Sequence, residues 1–225
     1  MRNYKQVYPK YDQVGLLEIL LEQEVVDNLW KYIETAKENP KTKNHDLAGN
    51  ITSSLVLKDQ DNWFFDVVLL EAISIYNQTY PLWQEDHAVL TLEKPYVLDS
   101  LWVNFQKQNE FNPIHKHSGV YSFVIWMQIP YTEEEQKNIP FVKHSNAKYA
   151  GEFHYFFTDM FGRVRSSYHK SDHNSEGTML IFPSELNHCV YPFYGTDKER
   201  ITISGNIKYD GKAMNPFLYK YNKIR

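Results

Sequence analysis

Residues 102–130 read WVNFQKQNEFNPIHKHSGVYSFVIWMQIP. Both ends of this stretch are short runs of Val, Ile, Phe, Tyr and Trp, the side chains that suit a pleated, half-buried surface. The middle carries Asn, Pro and Gly, which break regular structure, so the stretch reads as strand, turn and strand. The same texture recurs on either side, in HAVLTLE (87–93), VLDSLWVNFQK (97–107), GVYSFVIWMQI (119–129), AGEFHYFFTD (150–159), GTMLIFP (177–183), NHCVYPF (187–193) and RITISGNIKYD (200–210). Many short strands separated by polar turns predict a mainly β sandwich or barrel.

Ahead of them the period changes. In LLEILLEQEVVDNLWKYIETAKE (16–38), Leu17, Leu21, Val25, Leu29, Ile33 and Ala36 recur at spacings of three and four, which predicts one amphipathic helix. Asn39-Pro40 stops it, because the residue before proline is pushed out of the helical region. A second helix is expected from about Asp61 to Tyr80, with Trp63, Val67, Leu70 and Ile73 on one face and Pro81 just beyond it. The expectation is a single domain over 1–225. A helical N-terminal part (about 14–82) lies outside a β-barrel core (about 86–210), with the chemistry in the barrel mouth.

The 225 residues carry 24 Lys+Arg and 28 Asp+Glu, a formal charge of −4, which argues against a chain built to coat nucleic acid. Apolar content of 42% and aromatic content of 16% exclude a disordered chain. No run approaches the ~18 apolar residues of a membrane span. The opening MRNYKQVYPKYDQ lacks the apolar run of an export signal. The single cysteine, Cys189, cannot form an internal disulfide. A soluble cytoplasmic protein is expected, with no membrane partner.

The chemistry gathers in two clusters. In Asn112-Pro113-Ile114-His115-Lys116-His117 the two histidines alternate with other residues, so on a strand both face one way and can reach one metal ion. Imidazoles suit iron, copper, zinc or nickel better than magnesium or calcium. The alternative is a histidine pair on a solvated strand edge. The second cluster, FPSELNHCVYPFYGTDKERITISGNI (182–207), supplies His188 and then Arg200. A turn-like PFYGTD between them predicts that His188 and Arg200 sit on the two arms of one hairpin. In the last strand Arg200, Thr202, Ser204 and Asn206 share one face, while Ile201, Ile203 and Ile207 share the other. A polar stripe opposite an aliphatic one means that one side meets a core and the other meets water or a polar ligand. An arginine at its head offers a fork matched to a carboxylate. The alternative for Arg200 is a surface charge paired with Glu199 or Asp197.

His-X-His, a third histidine about seventy residues on and an arginine soon after resemble the non-haem Fe(II), 2-oxoglutarate-dependent oxygenases over about residues 96–208. The fuller segments, together with Asp46-Leu47-Ala48-Gly49-Asn50-Ile51, look like an uncharacterised branch found in phage and bacterial genomes, on the prolyl-hydroxylase-like side of the superfamily. The resemblance implies a double-stranded β-helix, a jelly-roll with helices buttressing one sheet. It implies His115 and His188 as metal ligands, and Arg200 as the cation holding the far carboxylate of 2-oxoglutarate, with Thr202 or Ser204 in support. Asn104 and Gln106, of the same strand parity as Trp102, are further candidates for contact with 2-oxoglutarate or substrate. The implied activity couples O2 and decarboxylation of 2-oxoglutarate to oxidation, most simply hydroxylation, of a peptide or protein side chain or a small molecule.

One position departs from the family pattern. The usual ligand two residues after the first histidine is Asp or Glu, and here it is His117. A three-histidine site of His115, His117 and His188 is the preferred expectation. The alternatives are an outlying His117 with Glu152 or Asp172 completing the set, a cupin-like three-histidine enzyme without 2-oxoglutarate, and a jelly-roll binding protein without metal. Tyr121 and Trp126 are expected to be core. Cys189, next to His188, should point to the opposite face as a buried apolar side chain. SSYHKSDHNSEG (166–177), with His169 and His173, reads as an exposed loop over the barrel mouth. Glu133-Glu134-Glu135 reads as a solvated turn or helix start.

Overall fold

The computed structural model describes residues 4–7, 15–81, 96–159 and 161–210. Eleven strands run in chain order: β1 (Tyr4–Val7), β2 (Leu16–Leu20), β3 (Ser53–Val56), β4 (Tyr96–Gln106), β5 (Asn112–His115), β6 (Tyr121–Gln128), β7 (Phe153–Thr158), β8 (Val164–His169), β9 (Thr178–Pro183), β10 (Asn187–Val190) and β11 (Arg200–Tyr209). They form a seven-stranded sheet, β1-β2-β9-β6-β11-β4-β3, and a four-stranded sheet, β5-β10-β7-β8, with antiparallel pairing throughout. This is the expected mainly β, jelly-roll architecture, but the two sheets stay open and do not close into a barrel. The strand expected at 87–93, with His87, lies outside the described residues.

The large sheet is buried on both faces, and strand parity divides its side chains. Tyr121, Phe123, Ile125, Val103, Phe105, Met179, Ile181, Ile201, Ile203 and Ile207 pack with the helices in one core. Val124, Trp126, Leu180 and Phe182 face the other way and pack with Phe153, Tyr155 and Phe193. Helix α1 (Gln23–Glu38) buries Val25, Leu29, Ile33 and Ala36, as its period requires.

Two local expectations are corrected. Leu16–Leu20 is strand β2 and not the first turns of α1. Leu17 and Ile19 pair with Ile181 and Met179 of β9, and ladder pairing decides a short apolar run whose pattern suits either structure. The second helix forms, but it contains a π-helical turn over Phe65–Leu69 that runs directly into α2 (Leu70–Thr79). The wider turn shifts the buried face, so Phe64, Phe65, Val68 and Leu69 enter the core while Val67 is 43% exposed. Asp59 fixes the start of this segment, its carboxylate accepting from the backbone N–H groups of Phe64 and Phe65 at 2.8 and 2.9 Å.

The 166–177 stretch is also corrected. Its first part belongs to β8, the outer strand of the small sheet. His169 is buried, stacks on Trp126 at 4.5 Å and meets Glu18 at 2.8 Å, and is not among the residues that line the cavity described below. Residues Glu133–Lys137 form a short helix, α3, started by a reciprocal Thr132–Glu135 capping box. No helix among the described residues is long and apolar enough to cross a membrane.

Candidate active site

His115 ends β5, and His188 lies directly opposite it on β10, so the two clusters meet through strand pairing. His117 lies just past β5, on the loop to β6, where its backbone N–H donates to Ser184 O at 2.8 Å. Gly119 gives this loop its turn. It has φ of +103°, and a Cβ there would lie 2.5 Å from the Ile207 carbonyl oxygen. The three rings gather with centroids 4.3 to 5.2 Å apart, and their candidate ligand atoms lie within 4.8 Å of one another.

Each imidazole is held by its Nδ1. His115 Nδ1 lies 2.7 Å from Pro113 O, His188 Nδ1 lies 2.9 Å from Leu186 O, and His117 Nδ1 lies 2.8 Å from Asn206 Oδ1. All three oxygens accept, so each Nδ1 carries the proton and each Nε2 keeps its lone pair. The Nε2 atoms of His117 and His188 face each other at 3.3 Å, two lone pairs that repel unless a cation lies between them. That separation suits two nitrogens held about 2.1 Å from one cation at a right angle, roughly 3 Å apart. Burial holds all three below the usual histidine range. His117 falls to about 4 despite its Asn206 bond, and His188 falls well below its usual value through burial and its two neighbours. Neutral imidazoles at neutral pH are the form that binds a metal.

The carboxylate alternatives do not reach this cluster. Glu152 Oε2 lies 2.6 Å from His154 Nε2, while the Asp172 carboxylate caps a short turn by accepting from Asn174 N–H. Among the described residues, the three histidines are the one set of His, Cys, Asp or Glu that gathers in metal-binding range. Cys189 is buried, with its thiol pushed up to about 11 by burial, in keeping with a packing role.

The histidines open on a cavity of about 450 Å³ between the sheets. The polar stripe of β11, Arg200, Thr202, Ser204 and Asn206, lines it, as do Trp102, Asn104 and Gln106 of β4. These strands pair Arg200 with Gln106, Thr202 with Asn104 and Ser204 with Trp102. Asn104 accepts from Ser54 Oγ at 2.8 Å, and its amide lies 3.4 Å from Thr202 Oγ1. Residues 43–51 form another wall of the cavity, joined to the start of β5 by the Asn50–Phe111 bridge. His188 and Arg200 are not hairpin arms, since β10 belongs to the small sheet and β11 to the large one.

Arg200 is 1% exposed. Its five N–H groups all meet neutral acceptors: Nε and Nη2 point to Gln106 Oε1 at 3.2 and 2.6 Å, Nη1 to Tyr131 Oη and Gly151 O at 2.5 and 2.8 Å, and Nη2 also to Tyr191 O at 3.3 Å. Among the described residues no carboxylate pairs with it; Asp197 instead accepts from Gln108. A buried guanidinium without a counter-ion is an unmet electrostatic demand. Two contributors were missed in the sequence. Asn206 was visible in the polar stripe, but its bond to His117 spans 89 positions, and Tyr131 carried no motif at all.

The profile of a family described as “Putative 2OG-Fe(II) oxygenase” matches residues 100–206. No curated protein matches the sequence. A prolyl-4-hydroxylase from Pseudomonas putida is similar in structure at TM-score 0.52 and 12% identity, over 88% of this chain and 94% of that one. HygX from Streptomyces hygroscopicus, solved with nickel, 2-oxoglutarate and hygromycin B, is similar at TM-score 0.53 and 12% identity, over 88% and 84%. At such identities the likeness is one of fold. The family match covers just under half of the chain and includes β5, β6, β10 and the polar half of β11, so the three histidines and Arg200 all fall within the region that is similar to that family.

Proposed function

We propose that the protein is a hydroxylase that holds Fe(II) on His115, His117 and His188 and binds 2-oxoglutarate with its far carboxylate toward Arg200. Thr202, Ser204 and Asn104 line the rest of the co-substrate's berth, and Gln106 lies at the Arg200 end of it, on the guanidinium itself. The observation that carries this reading is the buried Arg200, without a carboxylate partner among the described residues, on the cavity that also receives three unprotonated Nε2 atoms. When bound, iron with 2-oxoglutarate supplies the O2 activation and decarboxylation by which such enzymes oxidise an unactivated C–H bond.

The chain's own residues do the holding. Pro113 O, Leu186 O and Asn206 Oδ1 fix the ring orientations, and Trp102 stacks on His117 at 5.8 Å and limits its tilt. Trp126, Phe153 and Phe182 wall the cavity with apolar surface, which keeps water from the reacting centre. The two structural relatives name a prolyl substrate and hygromycin B, so a peptide side chain and a small molecule both suit this fold.

One observation favours a second reading, a cupin-like three-histidine metalloenzyme that does not use 2-oxoglutarate: every N–H of Arg200 is already bonded within the protein. Anaerobic titration with Fe(II), then 2-oxoglutarate, separates the two. The first reading expects a weak visible charge-transfer band that Arg200→Ala diminishes. Iron binding with no band supports the second.

A further inference from the structure

The guanidinium of Arg200 has two working edges. One faces Tyr131 and Gly151, neither of which lines the cavity. The other presents Nε and Nη2 side by side, the pair that takes both oxygens of a carboxylate. Gln106 Oε1 alone bridges both nitrogens, at 3.2 and 2.6 Å, while the second N–H of Nη2 points to Tyr191 O at 3.3 Å; of these two partners only Gln106 lines the cavity. Gln106 Nε2 is held in turn by the carbonyl of Glu110 at 2.5 Å. Glu110 braces the same turn, its carboxylate accepting from the backbone N–H groups of Thr52 and Lys107, both at 2.9 Å.

We propose that Gln106 is a place-holder: its carboxamide occupies the cavity-facing edge of Arg200, and the far carboxylate of 2-oxoglutarate takes that edge by displacing it. The inference rests on the proposed function of this site and adds a positioning residue that works against co-substrate affinity. A neutral amide oxygen satisfies the two N–H groups without compensating their charge. A carboxylate does both, so the exchange runs toward the ligand. While Gln106 holds the edge, the binding-competent fraction of the protein is reduced and the apparent affinity falls in proportion. Because the Gln106 amide also holds the β4–β5 turn, the exchange is felt at the Thr52–Glu110 contact beside the 43–51 wall.

The test is calorimetric titration of 2-oxoglutarate into anaerobic, Mn(II)-loaded protein, comparing the unmodified chain with Gln106→Leu, Gln106→Glu and Arg200→Ala. Gln106→Leu, which keeps bulk but cannot accept, is expected to bind about threefold to tenfold more tightly. Gln106→Glu puts a fixed carboxylate on the edge and is expected to bind about 100-fold more weakly, with Mn(II) affinity unchanged. If Gln106→Leu does not fold, Gln106→Ala takes its place with the same expected direction. Unchanged or weaker binding in the folded variant overturns the place-holder, since Gln106 is then a bystander or a direct contact. Wild-type binding by Arg200→Ala overturns instead the assignment of Arg200 on which the inference rests. Loss of binding in Arg200→Ala with no gain in Gln106→Leu removes the place-holder alone.

Discussion

Asn206 Oδ1 accepts from His117 Nδ1 at 2.8 Å, a bond that ties a ring on the β5–β6 loop to the strand β11 of the large sheet. Ser122 Oγ donates to the same oxygen at 3.0 Å and keeps the amide from turning. Asn206→Leu removes the acceptor and frees the ring. Metal affinity, measured by competition with a chelator, is expected to fall about tenfold to 100-fold. Asn206→Asp preserves an acceptor and should retain most of it. Equal affinity in Asn206→Leu and the unmodified protein would show that His117 is held by other contacts.

The same assay decides between imidazole and carboxylate as the third ligand. His117→Ala is expected to lose at least about tenfold in Fe(II) affinity. Glu152→Gln should leave it unchanged, because Glu152 is engaged with His154. The cost of Glu152→Gln belongs to stability, about 1–3 kcal/mol in urea unfolding, since a buried bond to His154 is weakened.

Acid should loosen the metal-free protein. His117 titrates near 4 in the fold against an ordinary 6.5, and burial lowers His115 and His188 as well. Between these limits the unfolded chain binds more protons than the folded one, so stability rises with pH. The full contribution is present above about pH 6.5 and is lost as the pH falls toward 4. Urea midpoints taken with chelator across this window should fall with pH. His117→Leu should flatten the curve; an unchanged slope would assign the acid sensitivity elsewhere.

Gly119→Ala tests the turn that delivers His117. A β-carbon would strike the Ile207 carbonyl in a backbone conformation that side chains avoid. A loss of about 1–3 kcal/mol is expected, accompanied by weaker metal binding, as the loop shifts. Loss of stability with metal affinity intact would show that the loop relaxes without moving the ring.

Strand parity made much of the site legible. The alternation of Arg200, Thr202, Ser204 and Asn206 with the isoleucines assigns cavity and core without further information, and the structure follows it residue by residue. Long-range partnership was not legible. Gln106 and Tyr131 reach Arg200 across 94 and 69 positions, with no local pattern to announce them. The Leu16–Leu20 run failed for a different reason: five apolar-rich residues fit helix and strand equally, and β9 arbitrates. The π-helical turn at Phe65–Leu69 broke the 3.6-residue phase on which the second helix had been read.

His115 and His188 use one device twice. Each ring donates to the carbonyl two residues before it, Pro113 in one case and Leu186 in the other, on strands that pair directly. Ring orientation is therefore written into a few consecutive residues and exists before any cation arrives. Loading such a site is capture by a finished clamp, with little ordering left to do. A clamp of three imidazoles also has little means to choose among guests: left to equilibrium it ranks first-row cations by their intrinsic affinities, with copper and nickel above iron. Any metal found on the purified protein would then report what its surroundings supplied.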